Sequence, residues 1–189
     1  MIRYLFVLGI LCSFLGSVSA QNIDSLRLAL ENADEEYELI STSHAIADYF
    51  FRLNLDSMAK YAENSIDLAL EFEDDSLIAK SYLMAGNAAL TKGNMDIALE
   101  YYTTGAEYVT EETYPILLEG LSNNIGIILY RKEEYQRALN YFLQAQELFT
   151  LFPDKTNYDY ANALSALYAN LGALYETLGE EEELSLIHI

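Results

Sequence analysis

Tryptophan is missing from these 189 residues, cysteine occurs once and proline twice, at Pro115 and Pro153. The lone Cys12 excludes an internal disulfide and any cluster of thiolate metal ligands. So little proline leaves long stretches free to run as uninterrupted helix. Basic residues are scarce as well, 10 against 30 acidic, for a formal charge of −20. Such a surface repels phosphate backbones and anionic lipid, so neither nucleic acid nor a membrane surface is expected as a partner of the folded part. Histidine is limited to His44 and His188. No HExxH, GxSxG, phosphate-binding glycine loop or calcium-loop pattern occurs, so no catalytic, cofactor-binding or metal-binding residue is expected, and no cofactor. The acidic run Glu71, Glu73, Asp74 and Asp75 reads as a solvated turn.

Hydrophobic residues make up 52% of the chain. The start reads as a targeting segment. Met1-Ile2-Arg3-Tyr4 is a short positive region, and Leu5 to Leu15 is an apolar stretch too short to span a bilayer. Small residues at Val18 and Ala20 place a signal-peptide cleavage after Ala20, giving a signal peptide over 1–20. Cys12 leaves with it. The mature protein is then expected across the inner membrane, in the periplasm or otherwise outside the cytoplasm.

The rest repeats itself. Ser81 to Thr110 falls on Leu121 to Thr150 with an offset of 40. Gly86 meets Gly126, Ala98-Leu99 meets Ala138-Leu139, and Tyr101-Tyr102 meets Tyr141-Phe142. Gly126 recurs as Gly172 after 46 residues, the added length falling around Pro153 to Tyr160. Within each unit the apolar spacing is helical, as in Met58, Tyr61, Ala62, Ser65, Ala69 and Phe72, and again in Tyr135, Ala138, Phe142, Ala145 and Phe149. Asn22 to Tyr37 predicts one further amphipathic helix in a leading segment over 21–39. Thr113 is expected to cap the helix that carries Pro115 in its first turn. Tyr61, Tyr82, Tyr102, Tyr168 and Tyr175 are expected in the core.

This pattern resembles the tetratricopeptide repeat family. Leu171-Gly172 is followed by Tyr175, Gly126 by Ala138, Phe142 and Ala145, and Gly86 by Ala98, Tyr102 and Gly105. In the first unit Ile46 stands in for the glycine and Met58 for the alanine. The resemblance covers roughly residues 40 to 180, with units at 40–78, 79–118, 119–158 and an incomplete 159–183. Its long period is similar to the variant in extracytoplasmic parts of bacterial sensor proteins. It implies an all-α, right-handed superhelical solenoid of antiparallel helix pairs. It also implies a concave protein- or peptide-binding groove on the first helix of each pair. Carried onto this sequence, that groove holds Phe50 and Phe51, then Leu83, Asn87 and Leu90, then Asn123, Ile127, Tyr130 and Arg131, then Glu176. Asn87 and Asn124 match two asparagines of the family's carboxylate clamp. Leu83, Ala166 and Asn170 replace its basic members, which speaks against a clamp. Asn124 and Asn170 are expected to hydrogen-bond neighbouring helices.

Gly179 holds the turn position of Gly93, yet no alanine or aromatic follows at the expected spacing. Leu184 to Ile189 matches the translation of a transposon-end sequencing adapter, so the tail 184–189 is expected to be non-native and the native chain to continue. The functional expectation is a protein- or peptide-binding repeat domain, the N-terminal sensing or scaffolding part of a longer bacterial signal-transduction protein. The alternative is a free-standing periplasmic scaffold or assembly factor without an output domain.

Overall fold

The structure is a computed structural model, and it describes residues 23–33, 36–51, 53–152 and 158–179. The signal segment 1–20 and the tail 184–189 lie outside the described residues. Among the described residues there are eight α-helices, one 3-10 turn and no strand. The helices are α1 (Ile23–Glu31), α2 (Glu36–Phe50), α3 (Leu55–Glu71), α4 (Asp75–Thr91), α5 (Met95–Ala106), α6 (Pro115–Arg131), α7 (Tyr135–Leu148) and α8 (Tyr158–Leu178). The 3-10 turn, Phe149–Leu151, extends α7.

The described residues fall into two compact units, one closing at Thr110 and the other opening at Glu111. In the first, α1 packs on α2, α2 on α3, α3 on α4 and α4 on α5, with α2 also meeting α4. In the second, α6 packs on α7 and α7 on α8, with α6 also meeting α8. The fold is all-α and of helical-repeat kind, as expected. The period of the sequence is also the period of the elements: α3, α5 and α7 begin at Leu55, Met95 and Tyr135, and α4 and α6 at Asp75 and Pro115.

The repeated glycines have a steric cause. A Cβ on Gly86 would come 2.3 Å from the ring of Tyr102, and one on Gly126 would come 2.6 Å from the ring of Phe142. Each first helix therefore lacks a side chain where the second helix inserts an aromatic, and Tyr102 and Phe142 are fully buried. In α2 and α3 the same two places hold Ile46 and Ala62, both with no exposed surface. There the bulk has moved to the first helix and the small residue to the second, which conserves volume across the pair. The expected face of α3 is confirmed: Met58, Ala62, Ser65 and Ala69 are buried, with Tyr61 and Phe72 half-buried. Tyr102 and Tyr175 are buried, whereas Tyr61, Tyr82 and Tyr168 lie half-buried at the core margin.

The turns repeat as well. At the end of α4, Gly93 has φ +85°, its N–H bonds to the Leu90 carbonyl at 3.0 Å, and the Asn94 N–H bonds to Ala89 at 2.9 Å. At the end of α6, Glu133 has φ +64°, with the same bonds to Tyr130 and Leu129, both 2.9 Å. This is the paired closure of a helix terminus that uses one left-handed residue.

Two local expectations change. The helix expected over Asn22 to Tyr37 is broken: α1 stops at Glu31 and α2 starts at Glu36. Asn32 ends it, because its backbone N–H and its side-chain amide both bond to the Leu28 carbonyl. Tyr37 then lies in the first turn of α2 as an exposed residue. The cap of α6 is Tyr114 rather than Thr113, with no side-chain capping bond. Pro115 takes the first helical position, where its missing N–H costs no bond within the helix.

Candidate functional site

In the first unit, Phe50 ends α2 and Phe51 follows it, and both pack half-buried against the core of Ala47, Met58, Ala62 and Met84. The Phe50 ring stacks on Tyr61 with centroids 6.1 Å apart and planes 11° from parallel. Leu83 is half-buried and Leu90 buried on α4. Asn87 is committed to the fold through the Tyr102 hydroxyl, which donates to its Oδ1 at 2.7 Å. The burial of Leu90 and the bond at Asn87 leave Leu83 and the Phe50–Phe51 pair as the accessible members of this set.

In the second unit, Asn123 and Ile127 are buried on α6. Asn170 of α8 donates from Nδ2 to Asn123 Oδ1 at 3.1 Å, so a buried amide pair joins these two helices. Asn170 therefore bonds a neighbouring helix, as expected. Tyr130 is half-buried, while Arg131 and Glu176 are exposed. The hydroxyls of Tyr130 and Thr177 lie 2.8 Å apart. Thr177 spends its own hydrogen on the Ala173 carbonyl, so Tyr130 is the donor. The Tyr130 ring also lies 5.5 Å from Tyr135. The result is a fixed aromatic with an exposed cation beside it in sequence and an exposed acid one residue before its hydrogen-bond partner.

Two buried ionisable groups escaped the sequence reading. His44 on α2 is 3% exposed, and its Nε2 lies 2.9 Å from the Ser81 hydroxyl of α4. Ser81 donates its only hydrogen to the Ser65 carbonyl of α3 at 3.1 Å. Nε2 must then carry the imidazole proton, which assigns the tautomer and leaves Nδ1 as a buried acceptor without a partner. Burial, helped by the charge of Lys80, pushes the imidazole pKa down to about 3. This neutral His44 ties three helices together and is no surface residue.

Glu119 on α6 has no exposed surface, and neither carboxylate oxygen has a hydrogen-bond partner. Burial pushes its carboxyl up to about 8, so it is protonated at neutral pH. A signal was there to find. Glu119 is the single charged residue between Pro115 and Tyr130, in a helix whose other polar side chains there are Ser122, Asn123 and Asn124.

Among the described residues no three His, Cys, Asp or Glu side chains are grouped to hold a metal ion. No described helix is long and apolar enough to cross a membrane. No family model matches the sequence. No curated protein matches it either. Among solved structures, the crystal structure of BtubC (BKLC) from P. vanneervenii is similar in fold, with a TM-score of 0.71 at 20% sequence identity. The match covers 88% of this chain and 66% of that one, so the chain spans just under two thirds of BtubC. At this identity the likeness is one of fold.

Proposed function

We propose that this chain is a protein- or peptide-binding repeat domain of the tetratricopeptide kind that works outside the cytoplasm. It forms the N-terminal sensing or scaffolding part of a longer bacterial signal-transduction protein and carries no catalytic site. The observation that supports binding is the set around Tyr130. Its ring is held by Thr177 and Tyr135, next to the exposed Arg131 and near the exposed Glu176. An aromatic fixed in place loses little entropy on contact, and flanking charges of both signs give direction to a bound chain. The apolar segment after Arg3 and the small residues at Val18 and Ala20 support export.

The test places a photo-crosslinking residue at position 131, and in a second protein at the exposed position 67, in cells that export the full chain. Crosslinks to a discrete protein at 131, absent at 67 and lost on Tyr130→Glu, are expected. Equal labelling at both positions would sink the reading. The same samples report the mature N-terminus, expected at Gln21.

A further inference from the structure

The first unit carries a face where aromatic rings and carboxylates gather. Its rings are Tyr82 of α4, Tyr101 of α5 and Tyr108 just after α5, all half-buried. Tyr82 lies 6.1 Å from Tyr101 and 6.1 Å from Tyr108, nearly parallel to the latter. Four exposed carboxylates stand beside them: Glu63 and Asp67 one turn apart on α3, Glu100 on α5 and Glu107 at its C-terminal cap. The Tyr101 hydroxyl donates to Glu63 Oε1 at 3.5 Å. The Tyr82 hydroxyl is held above the usual tyrosine pKa, first by burial and then by Tyr108 and the charges of Asp67, Glu100 and Glu107. Negative potential thus reaches the rings from two helices.

The repeat does not require this chemistry. Forty residues on, the places of Tyr82 and Tyr108 hold Ser122 and Leu148, both buried, and the place of Glu100 holds Asn140. Nor do the charges serve the fold. Like charges one turn apart on a helix, as Glu63 and Asp67 are, cost it stability. Among the described residues, Asp67, Glu100 and Glu107 have no ion pair. The charge of Lys92 feels Glu63, but its ammonium is bonded to Asp56 at 2.8 Å. Lys60 stands on α3 one turn before Glu63, so both cations gather at that end of the face.

A ligand for this face must be cationic, flat enough to lie on phenol rings and extended enough to reach separated carboxylates. No three of these carboxylates are grouped to hold a metal ion, which sets a bare divalent cation aside. Guanidinium meets all three needs. It stacks on aromatic faces, pairs with a carboxylate through two parallel N–H donors and gives up its water more readily than an ammonium. We propose that this face is a docking site for an arginine-bearing segment of a partner protein, whose guanidinium groups lie on the Tyr82 and Tyr108 rings and pair with Asp67, Glu100 and Glu107. The site lies in the first unit and uses none of the residues around Tyr130, so it stands or falls apart from the binding site proposed above.

The test titrates the purified full chain into fluorescein-labelled hexa-arginine and hexa-lysine peptides and follows anisotropy. Salt is kept at about 0.15 M, where distant charges are screened. Hexa-arginine should bind about two- to fivefold tighter than hexa-lysine, the gain from a guanidinium on an exposed ring. Asp67→Asn with Glu107→Gln should weaken hexa-arginine at least about threefold, whereas removing the same charge at the exposed pair Glu111→Gln with Glu112→Gln should change it by less than about 1.5-fold. Tyr82→Leu, which keeps an apolar side chain and loses the ring, should bring the two peptides to equal affinity. Its thermal midpoint shows whether the variant is folded, and the carboxylate variants, all at exposed positions, decide the matter if it is not. Equal affinity for the two peptides with the unmodified chain overturns the proposal, because net charge alone would then be the attraction. Equal losses from the two neutralised pairs, or no binding of hexa-arginine, overturn it as well.

Discussion

The α4–α5 pair and the α6–α7 pair share a backbone plan and fill it with different chemistry. Gly86 faces Tyr102 in one and Gly126 faces Phe142 in the other. In the first of these pairs Asn87 accepts the tyrosine hydroxyl. Forty residues on, Asn87 has become Ile127 and the hydroxyl is gone. The polar and the apolar solution are each complete in themselves, because a buried hydroxyl needs a partner and a phenyl ring needs none. In α2–α3, Ile46 and Ala62 exchange the large and small roles altogether. What the repeat preserves is a sum of volumes and a satisfied set of hydrogen bonds, not particular residues.

The harshest way to break this comparison is to move bulk without compensation. Gly86→Ile should cost about 3 kcal/mol or more by forcing a branched side chain into the Tyr102 ring. Tyr102→Ala alone should cost about 3–5 kcal/mol through the cavity it leaves. The double variant copies the Ile46–Ala62 arrangement and should recover at least half of the summed loss in urea titrations. Strict additivity of the two losses would show that the first pair is not a size exchange.

The buried ionisable groups sharpen the contrast between the two units. His44 has its pKa lowered from 6.5 to about 3, so the unfolded chain binds the extra proton in that window and stability falls as pH drops through it. Glu119 has its pKa raised from 4.5 to about 8, so the folded chain holds the extra proton and stability falls as pH rises through that window. From 4.5 to 6.5 the two slopes oppose each other, which predicts a plateau there with losses on both sides. Each pKa unit is worth about 1.4 kcal/mol, so either limb amounts to a few kcal/mol. Denaturant midpoints from pH 3 to 9 should show Glu119→Gln flattening the alkaline limb and extending the acid slope up to 6.5, and His44→Gln flattening the acid limb and extending the alkaline slope down to 4.5.

A milder test exchanges the polar and apolar solutions. Tyr102→Phe should cost about 1 kcal/mol, the worth of one hydrogen bond. Phe142→Tyr should cost about 1–3 kcal/mol more than that, because Ile127 offers its hydroxyl no acceptor. Asn87→Ile together with Tyr102→Phe should lie closer to wild type than Tyr102→Phe alone, as read by chemical denaturation.

The smallest effect concerns the turns. Gly93 and Glu133 hold the same left-handed place, and only glycine takes it without strain. Glu133→Gly should stabilise by about 1 kcal/mol. Gly93→Ala should destabilise by a similar amount, purely through the backbone, since its Cβ would meet nothing within 4 Å. Thermal midpoints moving in opposite directions would verify both.

The repeat made most of the fold legible in the sequence. Glycine and aromatic recurring forty residues apart located the helix contacts, and Gly93 and Gly179 announced their turns. Glu133 announced nothing, because glutamate has no preference for positive φ and only its place in the repeat marks it. The break after α1 was hidden because the apolar spacing continues across Asn32, whose capping bond depends on backbone geometry. Of the candidate groove, the residue pattern alone could not tell accessible side chains from those committed to the fold. The bond between Asn87 and Tyr102, or between Asn123 and Asn170, depends on side chains that meet only once helices pack. Glu119 was lost among 30 acidic residues although its apolar surroundings single it out.

The hydrogen-bond relay from His44 through Ser81 to Ser65 also dictates an order of assembly. As the chain emerges N-terminus first, α2 and α3 can pair, but the imidazole has no partner until Ser81 arrives, 37 residues after it. Until then the imidazole N–H is left to water, and its bond to Ser81 is not made. The leading pair therefore gains its full stability only when the helix that follows packs against it.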